Sequence, residues 1–413
     1  MIYKTHTNCR VCGSEKLLKY IDLGELPLSN NLCETPIEIP ERFPLQVLLC
    51  EECGLSQLSI VIDSEVLFGH YVYRSSINKG YVNHCRQMAK ELKEEYGLTK
   101  DSFMIDIAGN DGALLKEFKD EIGLKILNVD PGVNLGAICQ SQGIPTLTYF
   151  WSEQTAKRVL SGFGKADLIT ATNVFAHVDN VYDFIEGIKL VLKPGGVCVM
   201  EFPYIIDFIW NNEFDTIYFE HLSYFSIRPL IRLCGKFGLS IMKVEKQEIH
   251  GGSVRVHIGH GEQSKSVNVF VLQNEFKLNK DDYFSFAEKA NKTISNFREQ
   301  LIRLKNEGNK IAGFAASAKG NTLLNCAGIT YGTMSYIVDE TPEKIGKYSP
   351  GTHIPIVSMM DFMNNRPDYL VILSWNFKEE IMGKCRRVGY VGRFIIPIPE
   401  FQIIENINIL KTA

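Results

Sequence analysis

The sequence predicts an α/β protein with a Rossmann-like central sheet, a small metal-stapled module before it and a second Rossmann-like α/β domain after it. Three observations carry this expectation. Four of the eleven cysteines fall into two C-x-x-C-G turns near the start. Short apolar strands alternate with amphipathic helices from residue 102 onward, the pattern of a mostly parallel sheet. A long helical stretch then precedes a second run of the same alternation. The expected division is residues 1–70, 71–265 and 266–413, since 413 residues exceed what one hydrophobic core serves.

The composition narrows the class. Lys and Arg number 44 against 48 Asp and Glu, a net charge of −4 with no block of like charge. Phosphate backbones need a basic field, so a general nucleic-acid binder is not expected. No apolar run reaches the ~18 to 20 residues of a bilayer span, and the polar start Met1–Arg10 has no apolar leader core. A cytoplasmic protein without membrane partners is expected. In that setting thiols are reduced or metal-bound. Cys33, Cys85, Cys139, Cys198, Cys234, Cys326 and Cys385 stand singly and read as small hydrophobes.

The remaining four form Cys9-Arg-Val-Cys12-Gly13 and Cys50-Glu-Glu-Cys53-Gly54. A two-residue spacer lets both thiolates of a pair face one ion, and the trailing glycine permits the tight turn. Four thiolates make a closed tetrahedral Zn²⁺ site, which staples a small module and leaves no position to activate water. Residues 24–44, rich in Pro, Asn and Glu, read as loops, and 58–62 as a strand. Tyr71-Val-Tyr73-Arg-Ser-Ser76 is an aromatic and hydroxyl cluster ahead of an amphipathic helix over 84–96.

The central domain opens with the strand 103–108, the turn Gly109-Asn110-Asp111-Gly112, a helix, and a second strand ending in Asp130. Strand, glycine turn, helix, strand and acid is the order that binds a nucleoside, the acid accepting from ribose hydroxyls. This turn has fewer glycines than a pyrophosphate requires. Asp106 and Asp111 suit a sulfonium and an amino group, so S-adenosylmethionine is preferred over NAD. The strand 166–173 ends in Asn173, added to the cofactor set, and Lys193-Pro-Gly-Gly196 turns into a fifth strand. The pair 239–244 and 252–259 reads as the antiparallel hairpin that closes a methyltransferase sheet.

Between the fifth and sixth strands lies Asp215-Thr-Ile-Tyr218-Phe-Glu220-His221-Leu-Ser-Tyr224. An imidazole beside a carboxylate and two phenols is equipped for proton transfer. His177 follows the fourth strand and is expected to face the same cleft, because open α/β sheets bind ligands at the carboxyl ends of their strands. In the last domain, the strand 310–315 leads to Ala316-Ser-Ala-Lys319-Gly-Asn321 at a helix start, which with Lys319 suits a pyrophosphate. Ser374-Trp-Asn376-Phe follows what reads as the last strand, 369–373. Ser253 and Arg255 are weaker candidates.

These motifs occur in the same order as in nucleotide-sugar C-methyltransferases, which the chain resembles over nearly its whole length. The resemblance rests on the two knuckles, N-V-F-A-H-V-D, Y-F-E-H-L-S-Y-F-S, H-G-G-S-V-R-V and A-A-S-A-K-G-N-T-L-L-N. It implies an adenosylmethionine-dependent class I methyltransferase sheet in the centre and carbon methylation beside the ketone of a nucleotide-linked 4-keto-6-deoxyhexose, at carbon 3. His221 or Tyr218 would take the proton, with Glu220 and His177 completing the cluster. Tyr73, Tyr224, Lys319, Asn321 and Asn376 would contact the substrate. The family commonly reads Y-H-E-H where this chain has Phe219, which removes one imidazole and leaves the other residues in place. O- or N-methylation on the same fold, a non-catalytic zinc-bearing binding protein and an NAD-dependent sugar oxidoreductase are the alternatives. A monomer or small homo-oligomer is expected, and the identity of the nucleotide stays open.

Overall fold

The structure is a computed structural model that describes residues 2–69 and 73–406. Tyr71 and Val72 of the aromatic cluster lie outside the described residues. The chain divides into two compact units. The first gathers Met1–Leu18, Leu48–Asp207 and Glu220–Leu278, and the second Lys19–Val47, Phe208–Phe219 and Asn279–Ala413. Both cysteine turns therefore lie in the unit of the central sheet, while Lys19–Val47 between them belong to the other.

The sheet of the first unit has seven strands: β1 (Phe103–Ile107), β2 (Lys125–Val129), β3 (Thr146–Leu147), β4 (Ala166–Thr172), β5 (Leu192–Pro203), β6 (Leu239–Gln247) and β7 (Ser253–His260). Their spatial order is β6-β7-β5-β4-β1-β2-β3, with β7 antiparallel to both neighbours. The expected closing hairpin is present. All five residues of β1 are buried, as fits a strand covered on both faces. The order reverses at β1, between β2 and β4, which opens a crevice at the carboxyl ends of these strands. The Lys193–Gly196 turn is a break in register inside β5, between Leu192 and Val197.

Helix α1 (Lys79–Tyr96) begins where the Asn78 side chain accepts from the Tyr81 amide and ends at Gly97, whose φ is +59°. Tyr81, Cys85, Met88, Ala89 and Leu92 recur at helical spacing and are its buried face. They join Leu114, Leu115 and Phe118 of α2 (Ala113–Ile122) in one apolar cluster. Burying the larger of these, such as Met88, Leu92, Leu115 and Phe118, contributes roughly 1.5–3 kcal/mol each, which fixes α1 against the sheet. Helix α3 (Val181–Val191) follows β4, and α4 (Ile227–Lys236) follows the His221 segment.

The second unit is built on α5 (Lys280–Asn306), started by a reciprocal cap between Asn279 and Asp282. Its sheet contains β8 (Ile311–Phe314), β9 (Ile337–Val338), β10 (Ile356–Val357), β11 (Tyr369–Ile372), β12 (Arg393–Ile396) and β13 (Gln402–Ile404), in the order β10-β9-β8-β11-β12-β13. Helix α6 (Ala318–Ala327) follows β8 and is capped by Ser317. Two expectations are corrected. Residues 369–373 are not the last strand, because β12 and an antiparallel β13 extend the sheet. The stretch 24–44 is loop over 28–41 but not at its ends, which belong to strands Leu17–Pro27 and Arg42–Cys50. Phe43, Leu45, Val47 and Leu49 alternate inward there, a period-two pattern that Pro44 obscures. Of the seven single cysteines six are buried, while Cys326 is half-buried.

Candidate active site

The two knuckles have one geometry. The Gly13 amide donates to the Cys9 carbonyl at 2.8 Å and the Gly54 amide to that of Cys50 at 2.9 Å, with φ near +78° and +79°. The four Sγ atoms lie within 4.8 Å of one another, Cys9–Cys53 and Cys12–Cys50 both at 3.5 Å. A tetrahedron of Zn–S bonds near 2.3 Å needs sulfurs about 3.8 Å apart, so this donor set fits zinc. A second acidic group, Glu95, Glu245 and His257, already holds the Lys243 ammonium, at 2.9 Å from each carboxylate.

At the crevice, the turn after β1 is unusually shaped: Ala108 and Asn110 have φ of +53° and +54°. The Asn110 amide donates to Asp130 Oδ2 at 2.9 Å and the Gly132 amide to Asp130 Oδ1 at 2.8 Å, which pins the carboxylate at the end of β2. Burial pushes Asp130 up to about 6 and Asp106 up to about 7. Asp106 Oδ1 accepts from Thr170 Oγ1 at 2.6 Å, while its buried Oδ2 has no hydrogen-bond partner. A Cβ on Gly109 would fall 2.6 Å from that same Oδ2. Gly109 thus lets the turn lie close against a buried carboxylate oxygen that has no hydrogen-bond partner, an acceptor that fits the cationic end of adenosylmethionine. Asp111 is engaged differently from the expectation: it accepts from the Ser76 amide and hydroxyl, with Arg74 Nε 3.8 Å away. Asn110 likewise holds the Ser75 amide and the Tyr73 carbonyl, so residues 73–76 are fastened to the turn. The Tyr73 side chain itself is exposed. Asn173, φ +55°, donates its amide to the Glu201 carbonyl at 2.7 Å.

The structure brings His177 and His221 together, ring centroids 5.0 Å apart, with Phe68 stacked on His177 at 5.5 Å and Tyr224 edge-on to His221 at 6.5 Å. Glu220, His221 and Tyr224 are buried. His177, rimmed by solvent but enclosed by protein atoms, is lowered to about 4 by desolvation, so it stands as a neutral imidazole at pH 7. A neutral imidazole at a strand end can donate or accept one hydrogen bond without carrying charge.

Tyr218, Lys319, Asn321 and Asn376 belong to the second unit. There Lys319 Nζ lies 3.4 Å from Glu213 Oε2 and over the Trp375 ring at 4.9 Å. Trp375 Nε1 donates to the buried Asp215 at 2.8 Å, and Asn321 Nδ2 donates to the Ser29 carbonyl at 2.7 Å. Burial raises both Glu213 and Asp215 above the usual carboxylate range. Sequence reasoning expected a free cation at Lys319 and missed this acid partner, which is distant in the chain. It also missed the buried network at the end of β5, where Glu201 accepts from His84 at 2.6 Å and from Arg255 at 3.1 Å. Arg255, treated as a weak candidate, is a structural cation that also reaches Glu91 at 2.7 Å.

Residues 9–68 match a family model described as a putative zinc binding domain, 81–244 a methyltransferase domain, and 248–399 a C-methyltransferase C-terminal domain. The chain is 32% identical over 406 residues to the C-methyltransferase NovU of Streptomyces niveus, covering 96% of each chain. Solved structures with partial similarity include magnesium protoporphyrin IX methyltransferase from Synechocystis PCC 6803 with bound SAM, at 12% identity, TM-score 0.33, and 44% of this chain against 81% of that one. A SAM-dependent methyltransferase from Anabaena variabilis matches at 13% identity, TM-score 0.36, over 43% and 84%. The assignment of the fold rests on the strand order described above. Among the described residues no helix is long and apolar enough to cross a membrane.

Proposed function

The chain belongs to the C-methyltransferase family, and from that premise we propose that it methylates carbon 3 of a nucleotide-linked 4-keto-6-deoxyhexose with adenosylmethionine. The observation that carries this reading is the His177–His221 pair, built in the same unit as the adenosyl-type turn. A sugar C–H becomes acidic enough to lose its proton only beside a ketone, where the charge spreads onto oxygen as an enolate. His221 is assigned the proton, with Glu220 orienting it. Neutral His177 and the Tyr218 phenol are assigned to donating to the enolate oxygen. Adenosylmethionine supplies the electrophilic methyl group. Asp106, Gly109, Asn110, Asp111, Asp130 and Asn173 are the proposed cofactor set, with Asp111 acting through the Ser76 contact that shapes the turn. Tyr73, Tyr224, Lys319, Asn321 and Asn376 are the proposed substrate contacts, and a proton taken up by Glu213 would release Lys319 for an anion. The working domains are 1–70, 71–265 and 266–413.

The test is an assay in deuterated water with adenosylmethionine and 4-keto-6-deoxy sugars carried on different nucleotides. One carbon-linked methyl group, located by NMR, is expected on a single sugar, and His221→Ala should abolish both methylation and deuterium entry. A methyl group on oxygen or nitrogen, or deuterium exchange at the wild-type rate in His221→Ala, would overturn the reading.

A further inference from the structure

Of the two residues between the cysteines of the first knuckle, the charged one has no reason to be buried on account of the metal. Arg10 nevertheless has a side chain with 0% exposure. Sequestering a guanidinium is costly, and Nη2 finds no acceptor here, so the acceptors that Nε and Nη1 do find say what the group holds. Nε lies 3.3 Å from Asp179 Oδ1, two residues after His177. Nη1 donates to the Leu222 carbonyl at 3.1 Å, one residue after His221, and to the Leu58 carbonyl at 3.3 Å. One rigid planar group therefore spans both histidine-bearing segments.

The knuckle backbone is tied to the same segments. The Arg10 amide donates to Gln57 Oε1 at 2.9 Å and Gln57 Nε2 donates to the Asn8 carbonyl at 3.0 Å, while Gln57 pairs with Ser223 in a two-residue ladder. The Tyr182 hydroxyl at the start of α3 donates to the Val11 carbonyl at 2.7 Å. Asp179 also receives Lys4 at 2.6 Å and His6 at 2.7 Å, so the carboxylate is an anchor for the whole first module.

We propose that Arg10 is a positioning residue that sets the spacing of His177 and His221, which makes the zinc knuckle part of the active-site scaffold. This rests on the roles given to the two histidines above. The guanidinium fork fixes three acceptors at defined angles, which an ammonium cannot do. Displacements of about 1 Å at reacting groups cost on the order of 100-fold in rate.

The experiment compares Arg10→Met and Arg10→Lys with Lys16→Met, which removes only an exposed ion pair to Glu52 on the second knuckle. Bound zinc, adenosylmethionine affinity, kcat and KM for the accepted sugar nucleotide, and the 15N-histidine ring resonances of His177 and His221 are measured on the full chain. Arg10→Met is expected to keep its zinc and its cofactor affinity, to lose about 10- to 100-fold in kcat at little changed KM, and to shift both ring resonances. Arg10→Lys should recover little of this, and Lys16→Met should behave as wild type. If Arg10→Met does not fold, Asp179→Asn removes one arm of the same contact and is read in the same way. Unmoved ring resonances in a folded, zinc-bearing variant overturn the proposal, as does a fall in kcat that only parallels loss of zinc or of cofactor binding. Shifted resonances with unchanged kcat would sustain Arg10's positioning role and instead overturn the catalytic roles of the histidines.

Discussion

Replacing Gly109 by alanine adds one methyl group at the most confined point of the proposed cofactor turn. The new Cβ would stand 2.6 Å from Asn128 Oδ1, 2.6 Å from Asp106 Oδ2 and 3.0 Å from Asp106 Cγ. Carbon and oxygen settle at about 3.4 Å, so each oxygen has to retreat by roughly 0.8 Å. Neither can do so freely. Asp106 is held by Thr170, and Asn128 accepts from the Gly109 amide at 3.2 Å while donating to the Asn110 carbonyl at 3.3 Å. Overpacking of this kind costs about 1–3 kcal/mol, and a broken hydrogen bond adds about 1 kcal/mol. With Asp106 Oδ2 in its proposed role as the oxygen that meets the cofactor, a loss of about 2 kcal/mol in binding means a Kd raised roughly 30-fold by calorimetry. Gly162→Ala is the control, since its Cβ meets nothing within 4 Å and its helix gains propensity. A Gly109→Ala protein with wild-type affinity and an unchanged urea midpoint would refute the steric argument.

Other outcomes follow from the same geometry. Cys12→Ser should release zinc, measured by metal analysis, and lower the melting midpoint by about 10 °C, because the module is closed by the ion and not by a large core. Glu201→Gln leaves buried Arg255 with only the Glu91 carboxylate and weakens the His84 contact, so urea unfolding should show a loss of about 3 kcal/mol. His177 has a folded pKa below its unfolded one, so the stability it contributes is complete above about pH 6.5 and is lost as pH falls toward 4. Allowing for its partly exposed rim, His177→Gln should be less acid-sensitive than wild type by on the order of 1–2 kcal/mol between pH 7 and pH 5. Equal acid sensitivity in the two proteins would show that His177 is not desolvated.

The sequence by itself determined whatever depends on neighbours in the chain. The Cys9–Cys12 and Cys50–Cys53 knuckles were legible because a C-x-x-C-G turn needs only its own five residues. The strand, turn and acid around Asp106, Gly109 and Asp130 were legible because strand alternation and a glycine turn are local patterns, and His177 could be placed at a strand end by topology alone. Tertiary structure decided the partners of the buried charges around the proposed site. Glu213 beside Lys319 is 106 residues away, Glu201 lies 117 residues from His84, and Asp179 lies 169 residues from Arg10. An arginine in a metal turn looks like a solvated spacer until the fold removes water from around it. Desolvation and pairing are set by what packs from elsewhere in the chain, so the contacts that hold the two histidines in register became visible only in three dimensions.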